Sequence, residues 1–279
     1  MASETDSGTL ERGATGTGAA PLIEMVNISK TFGAVVALRR VDLAIVPGEV
    51  IGLVGDNAAG KSTLMKILAG AYSTDTGEIR LEGRPVVFDG PIAARSAGIE
   101  MIYQDFALIP ELTVTQNIFL GREATVARAG LALLDKRRMD REAATLFEKL
   151  GLRVPPVTTP VRGLSGGQQQ AVAIARATAF DSKLVIMDEP TANLGASAID
   201  KVRETIQRLK SRGVAVIVIS HRLEDIFSVG DRMIVMKHGH VVGTRDVRDT
   251  DTTEIVHMIV SGEDPKRPGS AEEEPEEFA

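Results

Sequence analysis

The stretch Glu49-Val-Ile-Gly-Leu-Val-Gly-Asp-Asn-Ala-Ala-Gly-Lys-Ser-Thr63 decides how the rest of the chain is read. Val50 to Val54 is an apolar run of strand length. It ends at Gly55, and five residues later come Gly60, Lys61 and Ser62. The spacing G-x-x-x-x-G-K-S is that of a phosphate loop between a strand and a helix. In such a loop Gly55, Asp56, Asn57, Ala58, Ala59, Gly60, Lys61, Ser62 and Thr63 wrap a phosphate with backbone N–H groups. The helix that follows aims its positive end at the same oxygens. Glycine serves where the backbone comes close or takes positive φ. Lys61 supplies a charge for β- and γ-phosphates, and the Ser62 hydroxyl is placed to bind Mg²⁺. The competing reading is a strand–turn–helix with a chance Gly-Lys-Ser.

The bulk numbers permit a soluble enzyme and exclude several other classes. The chain has 279 residues, 43% apolar and 25% charged, enough for one large domain or two smaller ones. Two Tyr, eight Phe and no Trp argue against a stacking surface for single-stranded nucleic acid. With no Cys, disulfides and thiolate metal sites are excluded. The longest apolar run, Val214 to Ile219, is too short to span a membrane. Met1 to Ala20 holds Glu4, Asp6 and Glu11 and lacks the basic start and apolar stretch of a secretory signal. The expected location is therefore the cytoplasm. Net charge is −6, and residues 262 to 279 alone contribute −5 through seven acids and two bases. The nearly neutral body offers no electrostatic footprint for nucleic acid. Residues 1 to 21 and the acidic tail from 262 to 279 are expected to be disordered.

Between these ends the chain reads as follows. Leu22 to Ser29 and Val35 to Val46 look like strands joined by a turn at Thr31-Phe32-Gly33. The phosphate-loop strand follows, then a helix from Ser62 to Ala69 and a hairpin within 77 to 88. Ile99 to Tyr103 is a buried strand with Gln104 directly after it. From Asp105 to about Arg162 the pattern is helical, with Val114 to Leu120 and Lys136 to Leu150 the best candidates, and it reads as an inserted helical lobe. Leu164-Ser-Gly-Gly-Gln168 opens an Ala-rich helix. Lys183 to Met187 is a strand ending in Asp188-Glu189-Pro190, and Val214 to Ser220 a strand ending at His221. Arg232 to Lys237 and His240 to Arg245 pair as a hairpin, and a last helix spans Thr252 to Ser261. Strands alternating with helices give an α/β fold with a mostly parallel sheet covered on both faces.

Asp188 and Glu189 fall at the carboxyl end of a buried strand, where open α/β sheets bind ligands. Asp188 fits a Mg²⁺ partner acting through water, and Glu189 fits a base that polarises the attacking water. The pair taken alone reads equally well as a helix cap. His238 and His240 read as flanking a hairpin turn rather than as a metal pair.

A phosphate loop, Leu-Ser-Gly-Gly-Gln, Asp-Glu-Pro and a strand-end His appear in that order. Over about residues 22 to 261 the chain resembles the ATP-binding subunit of an ATP-binding cassette (ABC) transporter. That resemblance implies a P-loop NTPase, RecA-like core with an antiparallel β subdomain and an inserted helical subdomain at about 105 to 162. It implies ATP and Mg²⁺ as ligands. Phe32 then resembles the aromatic that stacks on adenine, and Gln104 the glutamine that joins the helical lobe to the Mg²⁺ site. Glu189 resembles the catalytic base, and His221 the histidine that contacts the γ-phosphate. Ser165, Gly166, Gly167 and Gln168 resemble the segment that receives the γ-phosphate bound to a second subunit. Two copies would then close head-to-tail around two ATP molecules. The sequence departs from the family at two points. Ala58 replaces a common glycine in the phosphate loop, and Gly195 stands where an Asp often follows Leu194 and helps couple the two sites.

Gly90-Pro-Ile-Ala-Ala-Arg95, Gly98-Ile-Glu100, Tyr103-Gln-Asp105 and Asn117-Ile-Phe-Leu-Gly-Arg-Glu123 are similar to ATPases of bacterial monosaccharide importers of the ribose, xylose and fructose type. The single cassette resembles the fructose-type subunits. The resemblance implies a homodimer on the cytoplasmic face of the inner membrane, a transmembrane permease, and a periplasmic or extracellular sugar-binding protein. The alternatives are a non-transport ABC ATPase and an ABC subunit for a non-sugar substrate.

Overall fold

The structure, a computed structural model, describes residues 20–128, 131–192 and 194–266. Two kinds of strand build two sheets. Partly exposed runs give β1 (Ile23–Phe32), β2 (Val35–Ile45), β4 (Thr76–Leu81) and β5 (Arg84–Val86), an antiparallel sheet in the order β2-β1-β4-β5. Mostly apolar, buried runs give β3 (Val50–Gly55), β6 (Ile99–Ile102), β9 (Leu184–Asp188), β10 (Ala215–Ile219) and β11 (Arg232–Lys237), which lie parallel. The antiparallel β12 (His240–Asp246) closes one edge, and the order is β12-β11-β3-β10-β9-β6. A strand buried on both faces has no polar side, which is why these runs do not alternate.

Successive side chains still face opposite ways. Ile217 and Ile219 join the core under the antiparallel sheet, together with Leu64 and Leu68 of α1 (Lys61–Leu68). Val216 and Val218 join the core on the other face, formed by α3 (Val114–Phe119), α4 (Lys136–Leu150), α5 (Gly166–Thr178) and α6 (Ala196–Ser211). Met233 and Val235 pack with α7 (Leu223–Val229) and α8 (Thr252–Ser261), while α2 (Pro91–Ser96) leads into β6.

Three boundaries differ from expectation. β1 runs through Phe32, so the turn lies at Gly33 and Ala34. The helical stretch contains a hairpin, β7 (Thr125–Arg128) with β8 (Leu131–Leu134), since runs of four residues are too short to establish a helical period. The helical core is also shared with α5, beyond 162, since Val172 and Ala173 pack in one cluster with Phe119, Met139 and Phe147.

The expected acidic tail from 262 includes residues that the structure describes and packs. Asp264 is buried and accepts from Arg245 Nη1 at 3.1 Å, and Arg245 Nε donates to Glu254 Oε1 at 2.7 Å. A buried guanidinium needs acceptors, and the acid-rich stretch supplies one. The Arg245 guanidinium holds the Glu254 carboxyl down at about 2. The segments at 1–19 and 267–279 lie outside the described residues. Asp264→Ala leaves Arg245 short of a partner. The expected fall in melting temperature is about 5–10 °C. Thermal melts check this against the exposed neighbour Glu263→Ala, for which no shift is expected.

Candidate functional site

Four loops meet at the carboxyl edge of the parallel sheet. Ile219 of β10 lies between Leu53 of β3 and Asp188 of β9, and Met187 of β9 pairs with Ile102 of β6. The phosphate loop after β3, His221 after β10, Asp188 and Glu189 at the end of β9, and Gln104 after β6 therefore leave the sheet side by side.

The loop's shape comes from its glycines. Gly55 has φ +146, and a Cβ there would meet Met236 O at 2.1 Å. Gly60 has φ +98, and a Cβ would meet Ala37 O at 2.7 Å. Ala58 takes φ +65, so the alanine at this position accepts the left-handed conformation at a cost of roughly 1–2 kcal/mol. Ala59 N–H donates to Asp56 O at 3.1 Å, and Ala59 O accepts from Gly239 N–H at 3.2 Å. Lys61 Nζ donates to Gly55 O at 2.7 Å and Asp56 O at 2.8 Å. Burial pulls the Lys61 ammonium below its usual range, against the opposing pull of Glu189, Asp56 and Asp188. Asn57 and Ser62 are exposed and Thr63 half-buried. The N–H groups of Lys61, Ser62 and Thr63 open α1 and have no acceptor within the helix.

Burial, and then the charge of Glu189, raise the Asp188 carboxyl above the usual carboxylate range. Glu189 itself takes φ +50. Its Oε1 accepts from His221 N–H at 3.1 Å. Its Oε2 is 2.8 Å from His221 Nδ1, and among the described residues this buried oxygen has no hydrogen-bond donor. The His221 side chain is 71% exposed and that of Glu189 only 17%.

Phe32 is exposed at the end of β1, with Tyr72 edge-on at 5.3 Å between ring centroids. Gln104 is exposed in the turn after β6. Ser165 caps α5, and its N–H donates to Gln168 Oε1 at 3.0 Å. Gln168 thus closes its own helix start, while Gly166 and Gly167 leave their N–H groups free of helical acceptors. Asn193 lies outside the described residues, and Gly195 caps α6 without a side-chain bond.

Four side chains at this edge have no role that the sequence pattern reveals. Gln170 Nε2 donates to Pro190 O, joining α5 to the chain beside Glu189. Thr191 Oγ1 donates to Asp225 Oδ2 at 2.6 Å, and Arg203 Nη2 to Asp225 Oδ1 at 2.6 Å. The buried Asp225 therefore ties the segment after Glu189 to the helix after His221. Among the described residues no cluster of three or more His, Asp or Glu could hold a metal, and His238 sits in the β11–β12 turn with φ +47.

A glycine-shaped loop, a lysine inside it and an acidic pair at the end of the next strand but one define a P-loop nucleoside triphosphatase. A family model described as ABC transporter matches residues 38–192. The chain belongs to the ABC transporter family, as an ATP-binding cassette. It is 43% identical over 240 residues to "Xylose/arabinose import ATP-binding protein XylG" of Sulfolobus acidocaldarius, covering 86% of this chain and 94% of that protein. It is 44% identical over 239 residues to "Ribose import ATP-binding protein RbsA" of Geobacillus kaustophilus, covering 86% of this chain and spanning 48%, about half, of that relative's length. Among solved structures it is similar to the dimeric bacterial ABC transporter cassette MJ0796, with a TM-score of 0.69 and 26% identity over 82% of this chain and 100% of that one.

Proposed function

We propose that the chain is the ATP-binding and ATP-hydrolysing subunit of an importer, driving a monosaccharide through a membrane permease. The observation that carries the hydrolytic part of this reading is the buried Glu189 Oε2, without a donor among the described residues, beside the phosphate loop and His221. An acceptor so placed is completed by a water that donates to it. Glu189 then takes the proton as that water attacks the γ-phosphorus and the bond to the leaving ADP oxygen breaks. His221 Nδ1 lies 2.8 Å from Glu189 Oε2, which leaves Nε2 for a γ-phosphate oxygen. Lys61 exchanges loop carbonyls for phosphate oxygens, and Phe32 meets the adenine.

Ser62, Asp188 and Gln104 form an oxygen-donor set with one carboxylate, suited to a Mg²⁺ that takes its other ligands from phosphates and water. When bound, that ion would neutralise negative charge on the phosphates as it develops. The N–H groups of Gly166 and Gly167 face a second copy, whose γ-phosphate they receive. ATP favours the closed pair because only that state makes both sets of contacts.

The sugar class is supported by the identity to the xylose/arabinose and ribose import proteins, the former matched over nearly its whole length. Sugar selection is assigned to the permease and an extracytoplasmic sugar-binding protein. Among the described residues no helix is long and apolar enough to cross a membrane, and a peripheral seat on the permease's cytoplasmic face fits that. The test is purification from native membranes followed by reconstitution. Monosaccharide plus its binding protein is expected to raise ATP hydrolysis several-fold. Stimulation only by an amino acid or an ion would remove the sugar assignment and leave the ATPase standing.

A further inference from the structure

Helix α5 hydrogen-bonds to the Gln104 turn through Arg176. Arg176, in its last turn, donates from Nη1 to Ala107 O at 2.6 Å and from Nη2 to Phe106 O at 2.7 Å. Phe106 and Ala107 both hold positive φ, +60 and +43, a conformation that a β-carbon disfavours. Two adjacent carbonyls held this way suit the planar fork of a guanidinium, which a single ammonium cannot reproduce.

The charges around Arg176 make the arrangement costly as mere surface pairing. Burial pulls its guanidinium below the usual range, as does the neighbouring Arg95, against the opposing pull of Glu100, Tyr103 and Asp105. A buried carboxylate nearby, Glu100 of β6, is engaged by Arg122 at 3.0 Å and lies 3.6 Å from Arg95. Arg122 in turn lies over the Phe180 ring at 4.8 Å. Arg176 therefore spends its direct hydrogen bonds on the backbone of 106–107. The same helix is fastened to Pro190 by Gln170.

We propose that Arg176 is a positioning residue that makes Gln104 follow helix α5. The helix end opened by Ser165 and the turn carrying Gln104 then shift as one body, so that an anion received at the first resets the second. This rests on the reading of Gln104 as a residue that meets the Mg²⁺–phosphate group. It adds a link, within one subunit, between that group and the helix that meets the partner's nucleotide.

The test is a double-mutant cycle on the full chain with Arg176→Gln, Arg176→Lys, Gln104→Ala and the combinations. Each single variant is expected to lower kcat about tenfold and raise the Mg²⁺ concentration for half-maximal rate, with ATP affinity kept within about twofold. Arg176→Lys, which keeps the charge and loses the fork, is also expected to speed amide exchange at 105–108 while leaving the melting temperature nearly unchanged. Combined with Gln104→Ala, the Arg176 variants are expected to add no further loss. Losses that multiply, or an Arg176→Lys variant with native rate and Mg²⁺ dependence, overturn the proposal. Native Mg²⁺ dependence in Gln104→Ala overturns the reading of Gln104, and the proposal with it.

Discussion

In Glu189→Gln, ATP turnover is expected to fall by about a thousandfold while ATP affinity stays within about twofold. The amide is nearly isosteric, so the residue keeps its place and the φ of +50 at this position is no more strained than before. The amide oxygen still accepts from the His221 N–H, as Oε1 does at 3.1 Å. What disappears is the basic oxygen that takes the proton of the attacking water. The phosphate loop and Lys61 are untouched, so nucleotide still binds. With hydrolysis stopped and both sets of phosphate contacts available, ATP should drive the variant into a long-lived dimer. Phosphate-release kinetics and size-exclusion chromatography with ATP check both halves. Native turnover in this variant would remove Glu189 from the role of base.

The second large effect is expected at Ser165. Ser165→Arg should cut hydrolysis more than about a hundredfold and abolish ATP-dependent dimerisation, with nucleotide affinity per chain retained. Ser165 is exposed at the start of α5, on a different element from the phosphate loop of its own chain. A long cation there fills the space in front of the Gly166 and Gly167 N–H groups where a partner's phosphate would sit. Mixing variant and native chains separates this from a folding defect. A mixed dimer keeps one intact composite site, formed by the native chain's Ser165 segment and the variant's phosphate loop. Recovery of activity on mixing is therefore expected. Full-rate hydrolysis by the Ser165→Arg chain as a monomer would refute a shared site.

The fold was legible wherever local pattern and tertiary role agree. The runs at 50–54, 184–187 and 215–219 are apolar throughout because they are covered on both faces, and each became a central strand. The phosphate-loop residues and the strand-end Asp188, Glu189 and His221 fall where their spacing put them, because a strand's end fixes the position of the next two residues. Contacts made by ordinary residues far apart in sequence could not be seen. Asp225, Gln170 and Arg176 look like unremarkable helix positions, and only the packing of α5 and α7 brings them to Thr191, Pro190 and 106–107. Asp264 was hidden for the opposite reason. Its neighbours are so acidic that composition outweighed the one carboxylate with a buried partner.

The β11–β12 turn bears on what can be cut from this protein. Gly239 N–H donates to Ala59 O at 3.2 Å, its O accepts from Arg39 N–H at 2.7 Å, and Met236 O crowds Gly55. The nucleotide cradle thus leans on a wall built almost two hundred positions downstream. A recombinant fragment ending soon after Asp188 and Glu189 would retain the phosphate loop, the Leu-Ser-Gly-Gly-Gln helix and the acidic pair. It would lose the outer brace of its phosphate loop, which the β11–β12 turn supplies.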